Sequence, residues 1–144
     1  MRLLMLLVLL LPALSFGSEK EERLFEETLV EASQGDADAL FRLAVMLENG
    51  IGAPKDGKEA VKWYRLAADR GHAKAQLFLS YKYALGRGVP ADNVLAYMWA
   101  NIAGANGYDV EENMGIISGK MSQADISKAQ EKTTKYIKDH PDVY

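Results

Sequence analysis

Two stretches of the chain carry apolar residues four apart: Ala39, Leu43 and Leu47, then Ala75, Leu79 and Tyr83. This spacing puts each trio on one stripe of an α-helix and predicts helices over about 36–49 and 72–85. Two further stretches carry Ala60, Trp63, Ala67 and Ala96, Trp99, Ala103, at i, i+3 and i+7, and predict two more helices with one buried face each. Gly50 and Gly86 directly follow the first helices, where a left-handed residue closes the last turn. A Gly-x-Gly-x-Pro loop comes next. Asp56 and Asp92 then stand where the second helices need a side-chain oxygen for their free N–H groups. Gly71 and Gly107 end those helices.

The pattern is a repeat of period 36. Residues 35–70 and 71–106 are identical at eleven aligned positions: Gly35/Gly71, Ala37/Ala73, Ala39/Ala75, Leu43/Leu79, Gly50/Gly86, Gly52/Gly88, Pro54/Pro90, Asp56/Asp92, Ala60/Ala96, Trp63/Trp99 and Ala67/Ala103. A fixed period in this range marks stacked supersecondary units, each too small to bury its own apolar face. Alanine at facing positions lets helix backbones approach, and tryptophan fills the wedge between neighbours. Residues about 20–33 form a further helix, with Leu24 at the Ala60 position and Ala32 at the Ala68 position, which reads as a degenerate second helix covering the N-terminal end. Residues about 108–119 begin a third unit. Ser122 opens a final helix, with Asp125 at the capping-box position, Ile126, Ala129, Thr133, Tyr136 and Ile137 on its dry side, and Lys128, Glu131, Lys132, Lys135 and Lys138 on its wet side. Pro141 stops it.

The first seventeen residues differ in kind from the rest. Arg2 is followed by an unbroken apolar run from Leu3 to Leu11, then by Pro12 and the small residues Ala13, Ser15, Gly17 and Ser18. These are the n-region, h-region and cleavage site of a signal peptide, cut after Gly17 or, alternatively, after Ser15. The run is too short for a spanning helix, which needs about 20 apolar residues, so an exported chain with no membrane span after signal removal is expected. The segment holds one of the 17 Lys+Arg, which leaves 16 against 20 Asp+Glu and a net charge of −4. No basic run is present, so nucleic acid is not an expected partner. The absence of cysteine removes disulfides, thiolate metal sites and cysteine nucleophiles together.

Little else points to chemistry. His72 opens a first helix and His140 lies beside Pro141, far apart in sequence and without a signalled serine or acid partner. Glu21-Glu22, Glu26-Glu27 and Glu111-Glu112 are neighbours about 100° apart on a helix, not carboxyls facing across a cleft. Gly50-x-Gly52 and Gly86-x-Gly88 follow helices and lack the strand before and the Gly-Lys-Ser after that a phosphate loop requires. Trp63 and Trp99 stand at helix spacing between alanines and read as core. No catalytic, cofactor-binding or metal-binding residue is expected.

The pattern Ala-x-Ala…Leu…Gly-x-Gly-x-Pro-x-Asp…Ala…Trp…Ala-Ala…Gly resembles the Sel-one-like repeat (SLR), a relative of the tetratricopeptide repeat. Residues 96–103 resemble the second helix of bacterial members, and residues 121–129 the terminal helix that often follows these repeats. The resemblance covers about residues 24–140. It implies an all-α fold, an α-solenoid of stacked antiparallel helix pairs with N- and C-terminal capping helices. The expected organisation is a signal peptide at 1–17, a capping helix at 18–34, repeats at 35–70 and 71–106, and a partial repeat with a capping helix at 107–144. It also implies an adaptor or scaffold in the cell envelope rather than an enzyme. Cysteine-rich members linked to β-lactam binding or hydrolysis are the alternative, and this cysteine-free chain does not support it. A structural component of an envelope assembly differs from the adaptor only in its partner. Periplasmic localisation is expected, with secretion as the alternative.

In stacked helix pairs the first helices line the concave face. One position before each core stripe stand Asp38, Arg42 and Met46, then Lys74, Phe78 and Lys82, which are expected to form adjacent rows for one or more protein or peptide partners, with Met46 and Phe78 as anchors. Tyr81 and Tyr97 are further candidates. Two full repeats make a short arc, so self-association is a further way to complete the surface.

Overall fold

The computed structural model describes residues 17–144, and most of the expected signal segment therefore lies outside the described residues. Among the described residues there are seven helices and no strand: α1 Glu19–Ser33, α2 Ala37–Asn49, α3 Gly57–Asp69, α4 Ala73–Leu85, α5 Asn93–Ala105, α6 Glu111–Ser118 and α7 Gln123–Asp139. None of them is long and apolar enough to cross a membrane.

Short polar side chains start the helices. Ser18 caps α1 in a full capping box with Glu21. Asp36, Asp56, Asp92 and Ser122 each accept from the N–H three residues on. His72 does the same for α4: its Nδ1 accepts from the Ala75 N–H at 3.1 Å, and its Nε2 stands 3.2 Å from Asp38 Oδ1. Gly50 and Gly86 close α2 and α4 in the left-handed region.

Consecutive helices pack on one another from α1 to α6, so each second helix lies between two first helices. The repeated small and apolar stripe supplies the core. Ala39, Leu43, Ala60, Ala67, Ala75, Leu79, Ala96 and Ala103 are all fully buried. The small size of the alanines lets the backbones close up, and dispersion across the contact follows from that density.

Gly52 and Gly88 show how one unit is seated on the last. A Cβ on Gly88 would collide with the carbonyl oxygen of Gly57 and press on Val61 of α3. A Cβ on Gly52 would collide with the carbonyl oxygen of Glu21 and press on Phe25 of α1. Glu21 and Phe25 lie one period before Gly57 and Val61. The N-terminal helix is thus the counterpart of a second helix, seated on the following loop by the same close backbone contact.

Two packing expectations need correction. Leu24 stands at the Ala60 position but is 50% exposed. The reason is an end effect: α3 is held between α2 and α4, whereas α1 packs chiefly on α2, so one of its faces stays open. Trp63 stays partly exposed while Trp99 is fully buried. The difference comes from α7, which packs on α5 instead of pairing with α6. Tyr136 of α7 meets the Trp99 ring edge-on at 5.1 Å, and the Arg65 guanidinium stands 4.9 Å from the centre of the same ring.

The Tyr136 hydroxyl donates to Asp69 Oδ1 at 2.7 Å at the end of α3, tying α7 to the first repeat as well. Burial and the Asp69 carboxylate hold this phenol well above the usual tyrosine range. A folded pKa raised above the unfolded value means that the contribution is present below about pH 10 and is lost as pH rises above it. Tyr136→Phe is accordingly expected to lower stability by about 1 kcal/mol at pH 7, read by urea unfolding, and to lose this deficit as the pH is taken above 10. A deficit that is unchanged in alkali would show that the hydroxyl bond is not its source.

Candidate protein-binding face

A helix turns about 100° per residue, so positions i, i+4 and i+8 wind about 80° around it, whereas i, i+4, i+7 and i+11 stay near one line. The exposed face of the first helices follows the second rule. On α2 it runs Asp38, Arg42, the partly buried Val45 and Asn49; on α4 the equivalent residues are Lys74, the partly buried Phe78, Tyr81 and Leu85. The α2 row is mainly polar. The α4 row turns apolar after Lys74, with Tyr81 42% and Leu85 58% exposed.

The expected row of Asp38, Arg42, Met46, Lys74, Phe78 and Lys82 therefore does not form one surface. Asp38, Arg42 and Lys74 are exposed. Met46 is only 6% exposed and Lys82 only 8%, because eight residues of winding carry both into the interior. Phe78 is partly buried in an aromatic group, with its ring 5.3 Å from Phe41 and 5.4 Å from Tyr64. It packs the repeat joint instead of standing free as an anchor. Val45, Asn49 and Leu85 belong to the row instead, at the positions that a strict 3.6-residue period marks.

The exposed members are held in place. Arg42 pairs with Glu31 of α1. Asp38 lies beside His72 Nε2, His72 stacks on Phe41 at 4.6 Å, and the Lys74 ammonium stands 5.7 Å from the centre of the same ring. These contacts join the first turns of α2 and α4, which gives His72 a structural part to play.

Beneath the face lies a polar cluster. Lys82 pairs with Glu48 Oε1, and the Tyr64 hydroxyl donates to Glu48 Oε2 at 2.6 Å. The three residues come from α4, α2 and α3. Burial pushes the Glu48 carboxyl up, but the hydrogen bonds from Lys82 and Tyr64 and the charges of Lys82 and Arg87 outweigh it and hold the group below its ordinary value. Burial, then the Glu48 bond, pushes the Tyr64 phenol well above its usual range. The arrangement is a structural ion pair across the repeat joint.

Beyond α4 the face ends in a cleft of about 430 Å³ against α6, lined by Tyr81, Asp109, Glu111, Glu112, Asn113 and Ile116. Among the described residues no group of three or more His, Cys, Asp or Glu side chains is placed to hold a metal ion. Tyr97, the other aromatic candidate, is partly buried.

Solved structures place this architecture among known repeat proteins. The chain superposes on a protective antigen present in uropathogenic Escherichia coli strains, described as displaying an SLR fold, with a TM-score of 0.81 and 30% sequence identity over 87% of this chain and 27% of that one. It also matches a Sel1 repeat protein from Oxalobacter formigenes, with a TM-score of 0.58 and 38% identity over 60% of this chain and 35% of that one. The chain thus spans about a quarter to a third of the length of these relatives. No curated protein matches it. The family model of the Sel1 repeat matches residues 37–72 and 73–108, which together are half of the sequence. With both helix pairs in the fold of its solved relatives and both units matched in register, the chain belongs to the Sel1 repeat family.

Proposed function

We propose that the protein is an exported helical-repeat module that binds another protein in the cell envelope through the outer face of its first helices. The observation that carries the binding reading is the α4 row. Tyr81 and Leu85 stand exposed at positions where the preceding repeat has Val45 and Asn49, on a scaffold stiffened by buried alanine and by the Lys82–Glu48 pair. Large apolar side chains displayed on a rigid helix are the usual anchors of a protein interface. Sel1 repeats generally mediate protein interactions and are typically not catalytic, which supports the same reading. Export is read from the apolar run Leu3–Leu11 and the small residues after it, and in a two-membrane cell the proposed location is the periplasm, with secretion as the alternative.

The test is capture of a partner from an envelope extract by residues 18–144, with Tyr81→Ala/Leu85→Ala beside the parent chain. Both side chains are surface groups, so the variant should melt within a few degrees of the parent and should lose the partner. Retention of every captured protein by the folded variant would remove the α4 row from the interface. N-terminal sequencing of the exported protein checks the leader, with Ser18 expected as the first residue.

A further inference from the structure

The cleft between α4 and α6 combines two chemistries that the rest of the face keeps apart. Its apolar part is Tyr81 from α4 and Ile116 from α6, 42% and 58% exposed. Its polar part is Asp109, Glu111 and Glu112. None of the three carboxylates takes part in an ion pair among the described residues. Asp109 accepts from the Glu111 N–H at 3.2 Å, which orients it but leaves its charge uncompensated. Two of the carboxylates lie in the first turn of α6, where the helix dipole favours them. The dipole does not account for a bare isoleucine one turn further along, or for the tyrosine opposite.

The walls are preformed. Asn113 Nδ2 donates to Ser80 Oγ at 3.1 Å, and Ser80 in turn donates to the Ala96 carbonyl at 2.8 Å. Ser80 is fully buried, so this chain of bonds fixes α6 against both α4 and α5. A groove held in this way needs little ordering to bind.

We propose that this cleft takes a cationic protein segment, one that sets a large apolar side chain between Tyr81 and Ile116 and two or three Lys or Arg side chains against Asp109, Glu111 and Glu112. The charge of the cleft selects the cations. The absence of a convergent ligand set among the described residues argues for spread ammonium and guanidinium groups over a single metal ion. The apolar pair separates a binding groove from a merely solvated acidic turn. This rests on the protein-binding reading above and names its partner class.

The probe is a library of random dodecapeptides displayed on phage and selected on residues 18–144. Selected peptides are then labelled with fluorescein and titrated by anisotropy. Enriched peptides should carry Lys or Arg beside Leu, Ile, Phe or Trp. Their affinity should fall at least about tenfold in Glu111→Gln/Glu112→Gln and again in Ile116→Ser, and should weaken with added salt. Glu26→Gln/Glu27→Gln, an exposed acidic pair on α1 away from the cleft, should leave it within about twofold. All of these residues are exposed, and a matched thermal melt confirms that the variants are folded. Enriched peptides without basic residues would overturn the proposal. So would binding that survives the α6 variants but is lost in Tyr81→Ala/Leu85→Ala, an outcome that leaves the α4 face as the interface and removes only the cationic cleft. A self-association of the parent that the α6 variants abolish would assign the cleft to a second copy of the chain and overturn it as well.

Discussion

Replacing Gly88 by alanine is expected to cost about 3 kcal/mol or more, a large share of the roughly 5–15 kcal/mol that stabilises a typical domain. Two effects add. Gly88 has φ +77, a conformation that costs an L-residue about 1–2 kcal/mol. The new methyl group also meets the Gly57 carbonyl oxygen, with the Gly57 carbonyl carbon at 2.9 Å and Val61 Cγ2 at 3.0 Å. Those atoms belong to the first turn of α3, which cannot move without opening the joint to α4. Gly86 supplies the control. It has φ +64, yet a methyl group there meets Ala91 no closer than 3.3 Å. Gly86→Ala therefore carries chiefly the conformational part, about 1–2 kcal/mol, with a small shift of Ala91. Urea unfolding of the two variants measures the difference, and equal losses would show that the seating of one repeat on the other does not depend on this contact. Gly52→Ala makes the same collision with Glu21, but α1 is a terminal helix. It should detach while the remainder stays folded, and this would appear as a lower denaturant slope as well as a lower midpoint.

The contrast among these glycines shows which parts of the fold are legible in the chain. A period of 36, in-register glycines and capping aspartates are local features, and each has one physical use, so helices α2 to α5 and their joints can be derived from them. Surface rows are harder, because a drift of about 80° over eight residues is enough to turn a side chain from solvent to core. Lys82 shows the consequence. It occupies the place that buried Met46 holds in the preceding unit, and a comparison of the two repeats position by position would have marked it as interior. Its partners Glu48 and Tyr64 have no polar counterparts in the next unit, where Ala84 and Ala100 stand, so the period carries no trace of the cluster. End effects are equally silent. Leu24 is exposed because α1 lacks the neighbour that Ala60 has, and Trp99 is covered because α7 crosses onto α5 from far along the chain. The cleft at Ile116 depends on the same departure from the repeat, since α6 begins a third unit that α7 does not complete.

Lys82 also sets the second large effect. Lys82→Met places in α4 the residue that α2 already buries at the equivalent position, so packing volume is nearly kept and the loss falls on the charge. What remains is a Glu48 carboxylate with its Tyr64 bond but without its cation. Breaking a fully buried pair costs about 3–5 kcal/mol, and the 28% exposure of the Glu48 side chain brings the expected loss to about 2 kcal/mol. Adding Glu48→Leu removes the stranded charge, and the double variant should return to within about 1 kcal/mol of the parent, as apolar replacements of buried pairs do. The pH dependence separates this account from a packing defect. Glu48 titrates below its ordinary value of 4.5 in the folded protein, so the stability it contributes is present above that value and is lost as pH falls through the lower folded one. Once Glu48 is protonated the parent keeps a buried ammonium without its counter-charge, and the gap between parent and Lys82→Met should shrink or reverse. Guanidinium unfolding of the four proteins of the cycle at neutral pH and at the lowest acid pH at which all four stay folded reads both effects. A Lys82→Met loss that is equal at the two pH values, or that Glu48→Leu does not restore, would mean that the lysine holds the repeat joint through its stem instead of its charge.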